Sequence, residues 1–321
     1  MNPLALVTGA TGFIGCRVVI DLLQAGYDVR LTIRRKEQGE KLSKLFSQYE
    51  GRIEFVVVPN ITLTGAFDEA IKGVQYILHV ASPLPGTSND LLTPAVRGTV
   101  SILESALKTS SVRKVVITSS VASFMPVGGQ PDGTTITETT DVKINLDPET
   151  IATLDPMSQY QISKIASHKA TIDFVHDEKP IFDVITLHPV FVYGRNPLQE
   201  HANELAGSNG SLFKSLMSET PLLGQFIGVH IDDVAAAHVK VLDPAITGFQ
   251  SYLLSASRRS WADVDRFVRA HYPDVPFLLK PEDKANYTAD ASKAERELGI
   301  HFKPMEEQVK DVVNQQLELS R

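Results

Sequence analysis

A chain of 321 residues with 43% hydrophobic content and a mean hydropathy of −0.04 buries one large core, or a core with a smaller lobe, and stays in water. Its net charge of −7 and pI near 5.7 argue against nucleic acid or an anionic membrane as partner, since there is neither a basic stripe nor a basic excess. Cys16 is the only cysteine, so no intramolecular disulfide forms, and the chain opens on a strand without a basic leader, which makes the cytosol the expected compartment.

The first element is an apolar strand from Leu4 to Thr8 that breaks at Gly9 and turns at once into a helix. Gly9 permits the tight turn, Gly12 lets the backbone approach a phosphate, and Gly15 lets the helix pack on the strand, while the unpaired N–H groups of the first helical turn face the anion. The spacing is G-x-x-G-x-x-G, with Ala10 where the commoner fingerprint has its middle glycine. The helical pattern continues through Val18, Val19, Leu22 and Leu23 and stops at Gly26. Cys16 in its first turn reads as a small packing residue.

Further β-branched runs follow at Val29 to Ile33, Ile53 to Val58, Tyr76 to Val80, Val115 to Thr118 and Val184 to His188, with helical patterns between them. This alternation predicts an α/β chain with a Rossmann-type, doubly wound parallel sheet, whose strand ends line one ligand-binding edge. The second strand ends in Arg34, Arg35 and Lys36, with no carboxylate at its tip to hold a ribose 2′-hydroxyl. Cations at a helix start oppose the macrodipole and need an anion. Arg34 offers a bidentate fork to a 2′-phosphate and Lys41 a second charge, so NADP(H) is favoured over NAD.

Asp155 and Pro156 read as the cap and first residue of a helix that places Tyr160 and Lys164 four residues apart on one face. An ammonium there, together with an oxidised nicotinamide, favours the phenolate and suits the phenol to proton transfer. Ser120, just past the Val115 to Thr118 strand, supplies a hydroxyl to the same carbonyl oxygen.

Beyond residue 190 the rhythm loosens. Residues 196–228 read as a cover over the cleft with one helix near Ser211 to Met217; the chain returns at Val229 to Leu242, where Asp232 or Asp233 is expected to cap a helix, and late helices run from Trp261 to His271 and from Pro304 to Leu319. The expected division is a Rossmann domain of 1–194 and 229–257 and a smaller, discontinuous C-terminal substrate lobe of 195–228 and 258–321. The sequons at Asn60, Asn209 and Asn286 carry no weight without a secretory signal. His79, His188, His230 and His238 lack metal-ligand spacing, and no metal is expected.

With these segments in place the chain resembles the extended short-chain dehydrogenase/reductases, and within them the dihydroflavonol-reductase-like carbonyl reductases of plants and fungi. The likeness spans nearly the full length. It is carried by VTGATGFIG at 7–15, AFDEAIKGVQYILHVASP at 66–83, LLTPAVRGTVSILESA at 91–106, VVITSSVAS at 115–123, YQISK at 160–164, HPVFVYG at 188–194 and SKAERELGIHF at 292–302. The resemblance implies a triad in which Tyr160 is the general acid, Ser120 steadies the substrate oxygen, and Lys164 also holds the nicotinamide ribose. It implies cofactor contacts by Thr11, Phe13 and Ile14 beside the three glycines, by Asn60 and Ile61 near the adenine, by Ala81, Ser82 and Pro83 along the cofactor, and by Pro189 and Val192 near the carboxamide. Phe124, Met125 and Met157 are expected around the substituent of a small hydrophobic ketone or aldehyde, reduced reversibly by a monomer or homodimer. A sugar-nucleotide epimerase or dehydratase and a non-catalytic NADP sensor share the fold. Arg195, where relatives often have proline, and Asn60, where they often have aspartate, depart from the pattern.

Overall fold

A computed structural model describes residues 2–85, 90–145 and 147–320. In chain order the elements are β1 (Leu4–Thr8), α1 (Phe13–Gln24), β2 (Asp28–Ile33), α2 (Glu37–Leu45), β3 (Ile53–Val57), β4 (Tyr76–His79), α3 (Leu92–Leu107), β5 (Lys114–Thr118), β6 (Thr135–Ile136), α4 (Pro148–Ala152), α5 (Pro156–Glu178), β7 (Asp183–Pro189), β8 (Phe191–Tyr193), α6 (Gly207–Leu216), β9 (Gly228–His230), α7 (Ile231–Lys240), β10 (Phe249–Leu254), α8 (Trp261–His271), β11 (Thr288–Ala289), α9 (Ser292–Leu298) and α10 (Met305–Leu319).

The main sheet has seven strands in the order β10, β7, β5, β4, β1, β2, β3. The pairings from β3 across to β7 are parallel, as expected for strands whose continuous apolar runs are buried on both faces. The order reverses at β1, between β4 and β2, which is where a doubly wound sheet opens a crevice at its strand ends. Thr8 closes that edge. Its hydroxyl accepts the N–H groups of Val80 (3.1 Å) and Ala81 (3.0 Å), so its own proton goes to His79 Nδ1 at 3.0 Å, and burial holds that imidazole neutral with its pKa lowered to about 3.

The chain divides into two compact units, one of residues 1–129, 138–188 and 235–252, the other of 130–137, 189–234 and 253–321. Compared with the expected division, the second unit also takes 130–137, and the crossings fall at 188, 234 and 252. The first unit packs Leu6, Phe67, Ile71, Ile77, Ile102, Val115 and Val184 into one core. The second is built around Tyr193, Phe226 and Trp261, with ring centroids 5.4 and 5.8 Å apart, backed by Leu212, Val309 and Val312. It holds two short sheets, β8 with β9 and β6 with β11.

Two local expectations change. The helix expected near Ser211 begins at Gly207 as α6. Asp232 and Asp233 lie inside the first turn of α7 and do not cap it; the ring of His230 does, its Nδ1 accepting the Asp232 N–H at 3.1 Å. The two carboxylates instead hold Lys303, Asp232 through Nζ and Asp233 through the backbone N–H, both at 2.7 Å.

Lys114 stabilises the first unit in a way its polarity conceals. Its Nζ donates to the carbonyls of Val241 (2.9 Å), Asp243 (2.7 Å) and Ile246 (2.6 Å), in the segment that follows α7. Lys114→Met is expected to strand these buried acceptors and cost about 3 kcal/mol. Urea unfolding of the two proteins measures it; equal midpoints would mean that the carbonyls find other partners.

Candidate active site

The glycine loop at the tip of β1 has the shape the sequence anticipates. Gly9 sits at φ +75°, and a Cβ there would lie 2.7 Å from Ala81 N. One on Gly15 would lie 2.2 Å from Gly9 O. Gly12 occupies the N-cap of α1 with no side-chain cap, so the first-turn N–H groups of Phe13, Ile14 and Gly15 have no side-chain acceptor. Thr11 and Gly12 are exposed, and Phe13 and Ile14 half-buried. A cradle of unpaired N–H groups that no side chain can enter fits a pyrophosphate, so these residues suit a dinucleotide.

At the end of β2, Arg34 is exposed, and its backbone N–H is held by Gln38 Oε1 at 2.8 Å. Among the described residues its guanidinium has no carboxylate partner. Lys41 is exposed on α2. Past β3, Asn60 Oδ1 accepts from the Thr62 N–H and hydroxyl (3.0 and 2.7 Å). Ile61 lies against α3, where a Cβ on Gly98 would come within 2.8 Å of its Cδ1. Ala81, Ser82 and Pro83 follow β4 and are half-buried.

Tyr160 and Lys164 stand on α5, which begins where Asp155 caps the N–H groups of Met157 (2.9 Å) and Ser158 (3.2 Å). Lys164 Nζ lies 5.6 Å from the centre of the Tyr160 ring and donates to Ser82 Oγ at 2.9 Å. It is only 4% exposed, and burial lowers its pKa to about 8. Tyr160 is half-buried, with the Ser120 side chain acting on its phenol. Burial raises the phenol, against the Ser120 hydrogen bond that lowers it. Desolvation is the larger of these two effects, so the phenol stands above its ordinary value. Ser120, at the end of β5, caps the short turn Val121–Phe124, its Oγ accepting from Ala122 N–H at 3.2 Å. Ser123 Oγ donates to the Lys164 carbonyl at 3.2 Å and ties this turn to α5.

The expected substrate residues separate. Phe124 is 2% exposed, its ring 4.4 Å from His188 and 5.2 Å from His168, so it is a packing residue of the interior and not part of an open pocket. Met125 is 9% and Met157 47% exposed. In the second unit Pro189 closes β7, and Val192 is buried in β8 with its carbonyl accepting from the Ser208 hydroxyl. Arg195 is ion-paired to Glu318 of α10. Cys16 is buried, its thiol pushed up to about 12, which makes it inert. Asn209, one of the sequon residues, is buried and clamps Gly194 through both side-chain atoms. Sequence reasoning missed His168; its place eight residues after Tyr160 and four after Lys164, on the same stripe of α5, was the available signal. No described helix is long and apolar enough to cross a membrane.

Lys164 folds at a cost. The unfolded chain keeps its proton to pH 10.5 while the folded protein releases it near pH 8, so the penalty is complete below pH 8 and stability rises with pH across that window. Lys164→Met is expected to stabilise the cofactor-free protein by up to about 3 kcal/mol at pH 7 and by less as the pH approaches 10. Unfolding at the two pH values tests it, and a pH-independent difference would refute the shift.

The sequence pattern of the NAD dependent epimerase/dehydratase family matches residues 5–252. The ketoreductase sphI of Aspergillus fumigatus is 38% identical over 331 residues, covering 99% of each chain. The ketoreductase CTB6 of Cercospora beticola is 37% identical over 349 residues, covering 99% of this chain and 96% of the other. The structure of the yeast methylglyoxal/isovaleraldehyde reductase Gre2, complexed with NADPH, superposes with a TM-score of 0.85 at 28% identity over 99% of both chains. With its reversed strand order, glycine cradle and Ser-Tyr-Lys cluster, the chain belongs to the NAD-dependent epimerase/dehydratase family, the extended short-chain dehydrogenases/reductases.

Proposed function

We propose that this protein is an NADPH-dependent carbonyl reductase that converts a hydrophobic ketone or aldehyde to the alcohol. The observation that carries the reading is the buried Lys164 ammonium, which donates to Ser82 and lies over the ring of Tyr160. Ketoreductases among the relatives and the NADPH-bound reductase of the same fold support the reaction class and the cofactor. The cradle of Gly9, Thr11, Gly12, Phe13, Ile14 and Gly15 would hold the pyrophosphate, Arg34 and Lys41 the 2′-phosphate, and Lys164 the nicotinamide ribose. Asn60 and Ile61 are assigned to the adenine side, Ala81, Ser82 and Pro83 to the length of the cofactor, and Pro189 and Val192 to the carboxamide. The exposed Arg34, without a carboxylate partner among the described residues and in place of an acid at the end of β2, favours this reading over an NAD-dependent epimerase.

Bound NADPH supplies the hydride that reduces the carbonyl carbon. Tyr160 gives its phenolic proton to the oxygen as negative charge develops there, and Ser120 donates a hydrogen bond to that oxygen. The Lys164 ammonium stabilises the phenolate left behind, offsetting the burial that otherwise holds the proton on Tyr160. Run backward, the same phenolate accepts the proton of an alcohol. Met125 and Met157 are assigned to the substrate substituent; a thioether adapts to an irregular apolar group and satisfies a buried hydroxyl poorly, so dihydroflavonols should be poor substrates and nucleotide sugars should not react.

NADPH oxidation over a panel of bulky ketones, ketoesters and aldehydes tests the reading. Tyr160→Phe is expected to lower turnover about 10²- to 10⁴-fold with NADPH affinity nearly unchanged; retained turnover would remove the general acid. Arg34→Ala is expected to erase about 10- to 100-fold of preference for NADPH over NADH. Undiminished discrimination in titrations of both cofactors would place the 2′-phosphate elsewhere.

A further inference from the structure

Beneath Ser120 lies a buried chain of polar groups to which the reaction above gives no task. His188, fully buried near the end of β7, approaches the Ser120 carbonyl through Nδ1 at 3.1 Å and Thr186 Oγ1 through Nε2 at 2.9 Å. Thr186 Oγ1 in turn meets Ser251 Oγ of β10 at 2.8 Å. The ring is packed between Phe124 at 4.4 Å and His168 at 4.6 Å.

These contacts fix the direction of every hydrogen bond. A carbonyl only accepts, so Nδ1 carries the proton. Burial, with His168 and Lys164 as the charged or titratable neighbours, holds the ring neutral, which leaves Nε2 a bare acceptor. Thr186 must then donate to Nε2, and Ser251 to Thr186. The Ser120 carbonyl also accepts the Ser123 N–H at 3.0 Å within its own turn, so His188 is the group that ties it to β7. Ser119 N–H makes a ladder bond to Leu187 O at 2.8 Å, but the next residues of β7 bring Pro189, which has no N–H to extend the ladder past Ser119. The chain leaves the sheet there with Ser120 extended, at φ −159° and ψ 154°, before the turn to Phe124.

We infer that His188 is a positioning residue that takes over from the ended ladder, anchoring the Ser120 carbonyl so that its hydroxyl stays aimed at Tyr160 and the substrate oxygen. The inference rests on the role given to Ser120 above. Thr186 and Ser251 hold the imidazole in the one tautomer that can do this, and Phe124 and His168 hold its plane.

The test is a set of variants assayed for NADPH oxidation with a carbonyl substrate, with NADPH affinity measured separately. His188→Leu removes the donor and is expected to lower kcat about 10- to 100-fold, as misplacement of a catalytic group does, with NADPH affinity unchanged. His188→Asn presents an amide N–H at the δ position and is expected to restore kcat to within about threefold of wild type, because the donor is retained. Since His188 acts through Ser120, Ser120→Ala and Ser120→Ala/His188→Leu should be equally slow. Full activity in Ser120→Ala would overturn the role of Ser120 itself. Slow Ser120→Ala with a fast His188→Leu, additive losses in the double variant, or no rescue by asparagine would overturn the role of His188 alone. Nitrogen NMR of the wild-type imidazole gives a readout independent of any variant's folding. A Nδ1-protonated ring that does not titrate between pH 5 and 8 is expected, and a Nε2-protonated or titrating ring would refute the assignment.

Discussion

The buried ammonium of Lys164 is the constraint around which the candidate site is organised. Removing a charge from water is costly, and the cost shows as the fall of its pKa to about 8. Among the described residues its one hydrogen-bond acceptor is Ser82, and beside it stands the face of Tyr160. An ammonium with three donors and a single acceptor is held ready for further oxygen atoms, and ribose hydroxyls and a phenolate are groups that meet that need. The tolerance of the fold for this group comes from around it: α5 is capped firmly by Asp155, and Ser123 binds the Lys164 carbonyl.

The sheet brings the parts together by a simple rule. Strands that pair in parallel end on one edge, so Gly9 after β1, Ser82 after β4 and Ser120 after β5 gather although they are far apart in sequence. Thr8 then sets the spacing between two of these ends, since one hydroxyl accepts two consecutive N–H groups and donates to His79. The close approach that follows leaves no room for a side chain on Gly9.

The polar interior near β5 and β7 shows a second layer of order. Lys114, Thr118, Thr186, His188 and His238 are all nearly inaccessible, and each has hydrogen-bond partners that offset its dehydration. Such networks are directional where an apolar core is not, and they hold the backbone of Ser120 and of the segment after α7 at defined points.

The sequence by itself determined what depends on neighbours along the chain. The glycine spacing, the apolar runs of the strands, the Asp155–Pro156 helix start and the four-residue step from Tyr160 to Lys164 are local signals, and all appear at or within a few residues of their expected places. Tertiary structure alone decided how burial acts on those groups. Phe124, close to Ser120 in sequence, turns inward to two histidines because β7 and α5 enclose it. Tyr160 is shifted upward by the desolvation that packing imposes. His230, not an aspartate, caps α7, and Lys114 finds its first carbonyl 127 residues along the chain. The physical reason is common to these cases: a residue's propensity is set by its own backbone and side chain, whereas its dehydration and its hydrogen-bond partners are set by segments that meet it only after the chain has folded.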